Sequence, residues 1–135
     1  MKNLITYILM LLVFIGGSYA QAAINHPNFS SKTIFLECDG VKFQGKPRPT
    51  IYFYAIDNEK MMARRIGTDR FKWSKPYPME KSPAQIKIKQ AYGAWTVDRE
   101  TLTTEHQEYV TSDCKISSLN RVDEIASEIE SKAKI

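Results

Sequence analysis

Few residues in this 135-residue chain have the types and spacing that catalysis requires. The best combination is His106 with Glu105 and Glu108, because on a strand His106 and Glu108 share a face and could work as a general base with its carboxylate. A solvated polar turn is the simpler interpretation of the same residues. Asp98 and Glu100 form a carboxylate pair of the kind that glycosidases use, but they flank a single arginine, which indicates a turn. We therefore predict a protein that is not an enzyme, with a hydrolase using His106 as the least favoured alternative.

The chain has two cysteines, Cys38 and Cys114. An even number in an exported protein predicts one disulfide, which by chain-entropy arguments would contribute roughly 4 to 5 kcal/mol to stability for so long a loop. Two buried free thiols and an intermolecular link are the alternatives. The lack of a Cys-x-x-Cys motif disfavours a catalytic dithiol, and the shortage of Cys and His disfavours zinc. We expect neither a metal nor a cofactor.

Basic side chains are concentrated in the middle of the chain. Between Val41 and Gln90 there are twelve Lys or Arg and four Asp or Glu, whereas from Asp98 onwards acids outnumber bases by nine to five. The basic part could bind an anionic ligand of the cell envelope or a protein, although the two parts could instead neutralise each other on one surface. Nucleic acid is disfavoured because the N terminus predicts export. The predicted binding residues are Arg64, Arg65, Lys72, Lys75, Tyr77 and Lys81.

Residues 1–20 have the pattern of a bacterial secretory signal peptide. A positively charged start precedes an apolar run, and the small residues Ser18 and Ala20 follow it. The run is shorter than the about 20 apolar residues of a membrane-spanning helix, so we expect no stable membrane span after its removal. An uncleaved anchor helix is the alternative. Cleavage would leave one domain, periplasmic or secreted.

The mature chain is predicted to be mainly β, an antiparallel meander of six to eight strands that closes into a barrel or a sandwich. A flexible leader over 21–31 precedes the β domain of 32–118. Asp39-Gly40 is expected to end the first strand as a turn. Alternation or β-branched and aromatic content predicts the strands Thr33–Cys38, Thr50–Ile56, Lys60–Ile66, Ala84–Gln90, Trp95–Val97, Thr101–Glu105 and Tyr109–Cys114.

The C-terminal segment, 119–135, changes to helical periodicity. Apolar residues recur at helical spacing with charges between them, which predicts an amphipathic helix from about Arg121 to Lys132. A disulfide between Cys38 and Cys114 would join the first strand to the last and leave this helix outside the closed loop. Its apolar face must therefore pack on the sheet or on a partner.

The stretch from Arg70 to Pro83 mixes aromatic and basic residues with three prolines. Proline lacks a backbone donor and restricts the residue before it, so the second half is predicted to be an extended connection. Arg70–Trp73 could still be a strand that turns its aromatic rings into the core. The candidate binding loop is then Lys75–Lys81, with Tyr77 at its centre.

The first strand candidate carries Phe35-x-x-Cys38-Asp39-Gly40, and the last ends in Asp113-Cys114. These two ends resemble bacterial inhibitors of C-type lysozyme, and the resemblance implies a small barrel closed by a terminal disulfide. The resemblance is confined to the ends, and the Ser-Gly-x-x-Tyr type of motif in that family's inhibitory loop is missing here. The leading prediction is a non-enzymatic binding module of the cell envelope, and the alternative is a secreted inhibitor of a hydrolase.

Overall fold

The computed structural model describes residues 24–91, 93–107 and 110–133, so the predicted signal peptide, 1–20, lies outside the described residues. Nine strands and one helix follow in chain order. They are β1 (Thr33–Phe43), β2 (Lys46–Pro47), β3 (Tyr52–Asp57), β4 (Met62–Gly67), β5 (Tyr77–Lys81), β6 (Gln85–Gln90), β7 (Gly93–Asp98), β8 (Thr103–His106), β9 (Val110–Ser117) and α1 (Leu119–Ala133).

Eight of the strands form a closed antiparallel barrel. From β3 to β9 each strand pairs with the next along the chain, β1 pairs with β3, and β9 returns to pair with β1. The short β2 is an additional strand on the end of β1. The predicted mainly β fold with one C-terminal helix is confirmed, and the closed form is a barrel.

The barrel interior is filled by side chains that alternate along the strands. β3 shows the pattern, because Tyr54 and Ile56 face inward while Phe53 and Ala55 face outward. The buried residues of this inner core are Leu36, Cys38, Tyr54, Ile56, Ala63, Met79, Ile86, Ile88, Trp95 and Val97.

A second core lies on the outer face of β3 and β4, where α1 packs. Val122 and Ile125 of the helix are almost completely buried there, against Phe53 and Ile66. This contact explains why β3 is apolar on both faces, and it fulfils the prediction that the helix packs on the sheet. Glu37 on β1 is also buried under the helix and is paired with Arg121.

The disulfide between Cys38 and Cys114 is confirmed. The two residues are direct partners in the register of β1 and β9, with their Cα atoms 4.0 Å apart. The bond therefore fixes the pairing that closes the barrel. A disulfide is consistent with an oxidising, exported compartment.

Three local expectations were wrong. Arg70–Trp73 is not a strand, whereas the proline-containing Tyr77–Lys81 forms β5. Pro78 is tolerated because the ladder between β4 and β5 has only two residue pairs, so few backbone donors are needed. Asp39-Gly40 is not a terminal turn but part of an irregularity within β1, where Gly40 has a φ of 66°.

Residues 24–31, the described part of the predicted flexible leader, contact the folded domain. The Phe29 ring packs edge-on against Phe35 and Trp73, with a centroid distance of 5.2 Å in each case. The Ser30 hydroxyl donates a hydrogen bond to Asp57 at 2.6 Å. The sequence signal for this anchoring is the pair of apolar residues Ile24 and Phe29 in a mostly polar segment.

Candidate functional site

A groove runs over the outer surface of the barrel beside β3 and β4. It consists of two adjoining cavities of about 430 and 320 Å³, both of which are lined by Pro27 and Arg64. We call it the basic groove. The other lining residues are Asn25, His26, Asn28, Phe29, Ala55, Asp57, Lys60, Met62, Phe71, Lys72, Trp73 and Pro76.

The floor of the basic groove is formed by outward-facing residues of β3 and β4. Ala55 is the cross-strand partner of Arg64. Because alanine is short, the Arg64 side chain has free space beside it on this face of the sheet. Arg64 uses one guanidinium nitrogen, Nη1, to donate to the carbonyl oxygen of Ser74 at 3.0 Å, which leaves other N–H donors of the guanidinium for a ligand.

One wall of the groove is the loop that follows β4, and Ser74 attaches it to that strand. The Ser74 backbone N–H donates to the carbonyl of Arg65 at 2.8 Å, while its hydroxyl accepts from the Arg65 backbone N–H at 3.0 Å. These two bonds replace part of a strand pairing. They hold the loop, including Lys72 and Trp73, next to β4.

The opposite wall is the segment before β1, and His26 connects it to the loop and to α1. The indole Nε1 of Trp73 donates to His26 Nδ1 at 2.9 Å, and His26 Nε2 lies 2.7 Å from an oxygen of Asp123. An indole nitrogen can only donate, so Nδ1 of His26 is the acceptor and Nε2 carries the proton that points to Asp123. The histidine is thus a positioning residue for both walls.

The groove is electropositive because its cations lack acidic partners. Lys60, Arg64 and Lys72 make no salt bridge within the described part of the chain. Asp57 also lines the groove but is 6% exposed, and its oxygens accept hydrogen bonds from Ser30 and from the backbone N–H groups of the β3–β4 turn. Although burial raises the pKa of Asp57, these hydrogen bonds outweigh it and hold the pKa below its ordinary value.

The predicted binding residues do not form one site. Arg64 and Lys72 meet in the groove, whereas Arg65, the next residue along β4, points into the barrel and lies against Tyr52 and Trp95. Lys75 lies 5.7 Å from the ring centroid of Tyr77.

Lys81 lines a cavity at one end of the barrel, where its amine donates to Asn58 at 2.7 Å. The number of basic residues in the sequence gave no information about how far apart these side chains lie in the fold.

His106, the residue of the hydrolase alternative, stacks on Trp95 with a centroid distance of 4.7 Å. Its Nε2 atom is buried and has no hydrogen-bond partner among the described residues, while Glu108 lies outside them. The described ranges contain no cluster of three or more His, Cys, Asp or Glu side chains that could hold a metal ion. They also contain no helix with the length and apolar character that crossing a membrane requires.

Comparison of the chain with protein families, with curated proteins and with solved structures finds no match.

Proposed function

We propose that the protein is a non-enzymatic binding module of the cell envelope that holds a chain-like anionic ligand in the basic groove. Such a ligand is an acidic polysaccharide or the acidic segment of a protein. The observation that carries the proposal is that Arg64 and Lys72 line one cavity with no acidic side chain paired to either within the described residues. Guanidinium and ammonium groups in that state favour carboxylate or sulfate groups.

The shape of the groove supports an extended ligand. Two cavities joined at Arg64 offer a path between walls that are fixed by Ser74 and His26. A site that is already formed loses little conformational entropy on binding. Binding of such a ligand requires neither a change in the protonation of a side chain nor a nucleophilic residue.

Export is part of the proposal. The sequence pattern of 1–20 supports a cleaved signal peptide, and the Cys38–Cys114 disulfide fits an oxidising compartment such as the periplasm. The hydrolase-inhibitor and hydrolase alternatives gain no further observation and remain predictions.

The test measures the affinity of the exported protein for polygalacturonate, a carboxylate polysaccharide, at several salt concentrations. The double variant Arg64→Ala/Lys72→Ala is expected to bind about fivefold to tenfold more weakly and to depend less on salt, because two ionic contacts are lost. The matched control is Lys46→Ala/Lys87→Ala, which removes the same charge from two exposed positions outside the groove.

Equal loss in the two double variants would show that only net charge matters, and an unchanged affinity in both would show that the groove does not bind this ligand. Either result would overturn the proposal for an acidic polysaccharide. Far-UV circular dichroism of each variant checks that the fold is retained.

A further inference from the structure

A separate cavity opens at one end of the barrel and is mostly apolar. Its volume is about 190 Å³. The inward-facing residues at its base are buried to 8% exposure or less, and they are Leu36, Ile56, Ile86 and Val97. The other lining residues are Ile34, Asn58, Lys81, Arg99, Leu102 and Ile116.

The mouth of this cavity exposes two large aliphatic side chains. Ile34 is 43% exposed and Ile116 is 69% exposed. Both lie on the inward face of the barrel wall, because Ile34 is two residues before Leu36 and Ile116 is the cross-strand partner of Leu36. Their exposed surface therefore continues the apolar lining outward.

Two cations stand at the same mouth. The Lys81 amine donates to the side-chain oxygen of Asn58 at 2.7 Å, and Arg99 Nη1 donates to the carbonyl of Ser82 at 2.7 Å. Both acceptors are neutral, so the positive charges are oriented without being neutralised. Neither cation makes a salt bridge in the ranges that the structure describes.

Arg99 has a carboxylate residue on each side in sequence, Asp98 and Glu100, and that of Asp98 is already engaged. Asp98 Oδ1 accepts from the backbone N–H groups of Glu100 and Thr101 at 2.9 Å each, which fixes the turn after β7. These hydrogen bonds hold the pKa of Asp98 below its ordinary value. Asp98 is therefore a turn residue, and the Arg99 guanidinium keeps donors for a ligand.

We propose that this end of the barrel binds a free, medium-chain amphiphile with a carboxylate headgroup. The chain enters the cavity between Leu36 and Val97, and the headgroup is held by Lys81 and Arg99. A dry cavity of about 150 Å³ accommodates benzene, so about 190 Å³ accommodates the end of an acyl chain. The rest of the chain covers Ile34 and Ile116.

This site is independent of the basic groove. Of the predicted binding residues, it uses Lys81 and neither Arg64 nor Lys72. The double variant Arg64→Ala/Lys72→Ala is therefore expected to bind decanoate as the unmodified protein does. A negative result for ligand binding in the basic groove can thus be distinguished from a negative result for binding at the end of the barrel.

The experiment titrates the full exported protein with monomeric decanoate by calorimetry, and with decyltrimethylammonium as the matched cation. Decanoate is expected to bind, the cation to bind at least tenfold more weakly, and affinity to rise by about fourfold per methylene from hexanoate until the cavity is filled. Equal binding of both headgroups, or no dependence on chain length, would overturn the proposal.

Variants locate the site. Lys81→Ala/Arg99→Ala is expected to lower decanoate affinity about tenfold, and Ile116→Glu to abolish binding by placing a like charge at the mouth. Ile129→Glu, at an exposed position on α1, is the control and is expected to have no effect. Retained binding in Ile116→Glu, or co-sedimentation with anionic vesicles without binding of monomeric decanoate, would overturn the proposal.

Discussion

The guanidinium carbon of Arg65 lies 4.9 Å from the ring centroid of Trp95. Arg65 is on β4 and Trp95 on β7, and β5 and β6 separate these strands in the sheet, so the contact crosses the barrel interior. The guanidinium carbon also lies 4.7 Å from the ring centroid of Tyr52. An arginine between two aromatic rings ties distant parts of the barrel wall together.

Arg65→Lys is expected to lower the free energy of unfolding by about 1 to 2 kcal/mol, because an ammonium group cannot stack between two rings as a planar guanidinium does. Urea denaturation followed by circular dichroism measures the change. The control is Arg64→Lys on the outer face, expected to stay within about 0.5 kcal/mol. Equal losses in the two variants would contradict a special role for Arg65.

His26→Ala should destabilise the protein by about 1 to 2 kcal/mol, since it removes the hydrogen bonds to both Trp73 and Asp123. Asp123→Asn keeps an oxygen that can accept from His26 and is expected to cost clearly less. Both values come from urea midpoints at neutral pH. If Asp123→Asn is as harmful as His26→Ala, the contact with Trp73 contributes nothing.

Stability is expected to fall in acid partly through Asp57. Its pKa in the folded protein is lower than the ordinary value of 3.8, so the unfolded chain binds the proton more readily. The contribution is therefore complete above about pH 4 and is lost as the pH falls through the folded-state pKa.

Asp57→Asn tests this at neutral and acid pH. At pH 7 the variant is expected to be less stable by about 1.5 to 3 kcal/mol, the scale of hydrogen bonds to a charged acceptor. The difference from the unmodified protein should shrink as the pH falls below 3.8. A difference that stays constant over this range would rule out the carboxylate as its source.

Glu37 provides a prediction about the attachment of α1. Its carboxylate is 4% exposed and accepts hydrogen bonds from Arg121 Nε at 3.3 Å and from Ser117 at 3.1 Å. It also forms an ion pair with the Lys115 amine at 3.5 Å. Burial alone would lower the pKa of Arg121, but the nearby carboxylates of Glu37 and Glu124 raise it.

Removing Arg121 leaves a buried carboxylate with weaker compensation. Arg121→Ala is therefore expected to lower the urea midpoint more than Lys115→Ala, whose side chain is 70% exposed. In a Glu37→Gln background, the urea midpoints of Arg121→Ala and Lys115→Ala should differ less. Identical urea midpoints for Arg121→Ala and Lys115→Ala would show that Arg121 is not the main partner of the buried Glu37 carboxylate.

Local patterns in the sequence were sufficient for most of the barrel. The alternation in Gln85–Gln90, the aromatic and β-branched content of β3 and the helical spacing after Leu119 each depend on neighbouring residues, and each gave an element close to the observed bounds. Pro78 was misjudged because its effect depends on how many pairs β4 and β5 make, which is a property of the whole barrel.

The candidate site was harder to predict because it depends on contacts between distant segments. Arg64 and Lys72 had been grouped with Arg65, but alternation along β4 places Arg64 and Arg65 on opposite faces. His26 was assigned to a flexible leader, and its role depends on Trp73 and Asp123, which are remote in sequence. A count of charged residues along the chain does not show which distant segments come into contact.

The bond between Cys38 and Cys114 makes the barrel a covalent ring. A protease that cuts the chain once between these two residues leaves all the strands in a single molecule, and the new ends remain in register through their neighbours. The helix α1 lies outside the ring and is joined to it through Ser118. Cleavage at Ser118 would free the helix that covers the second core while leaving the disulfide-closed barrel intact.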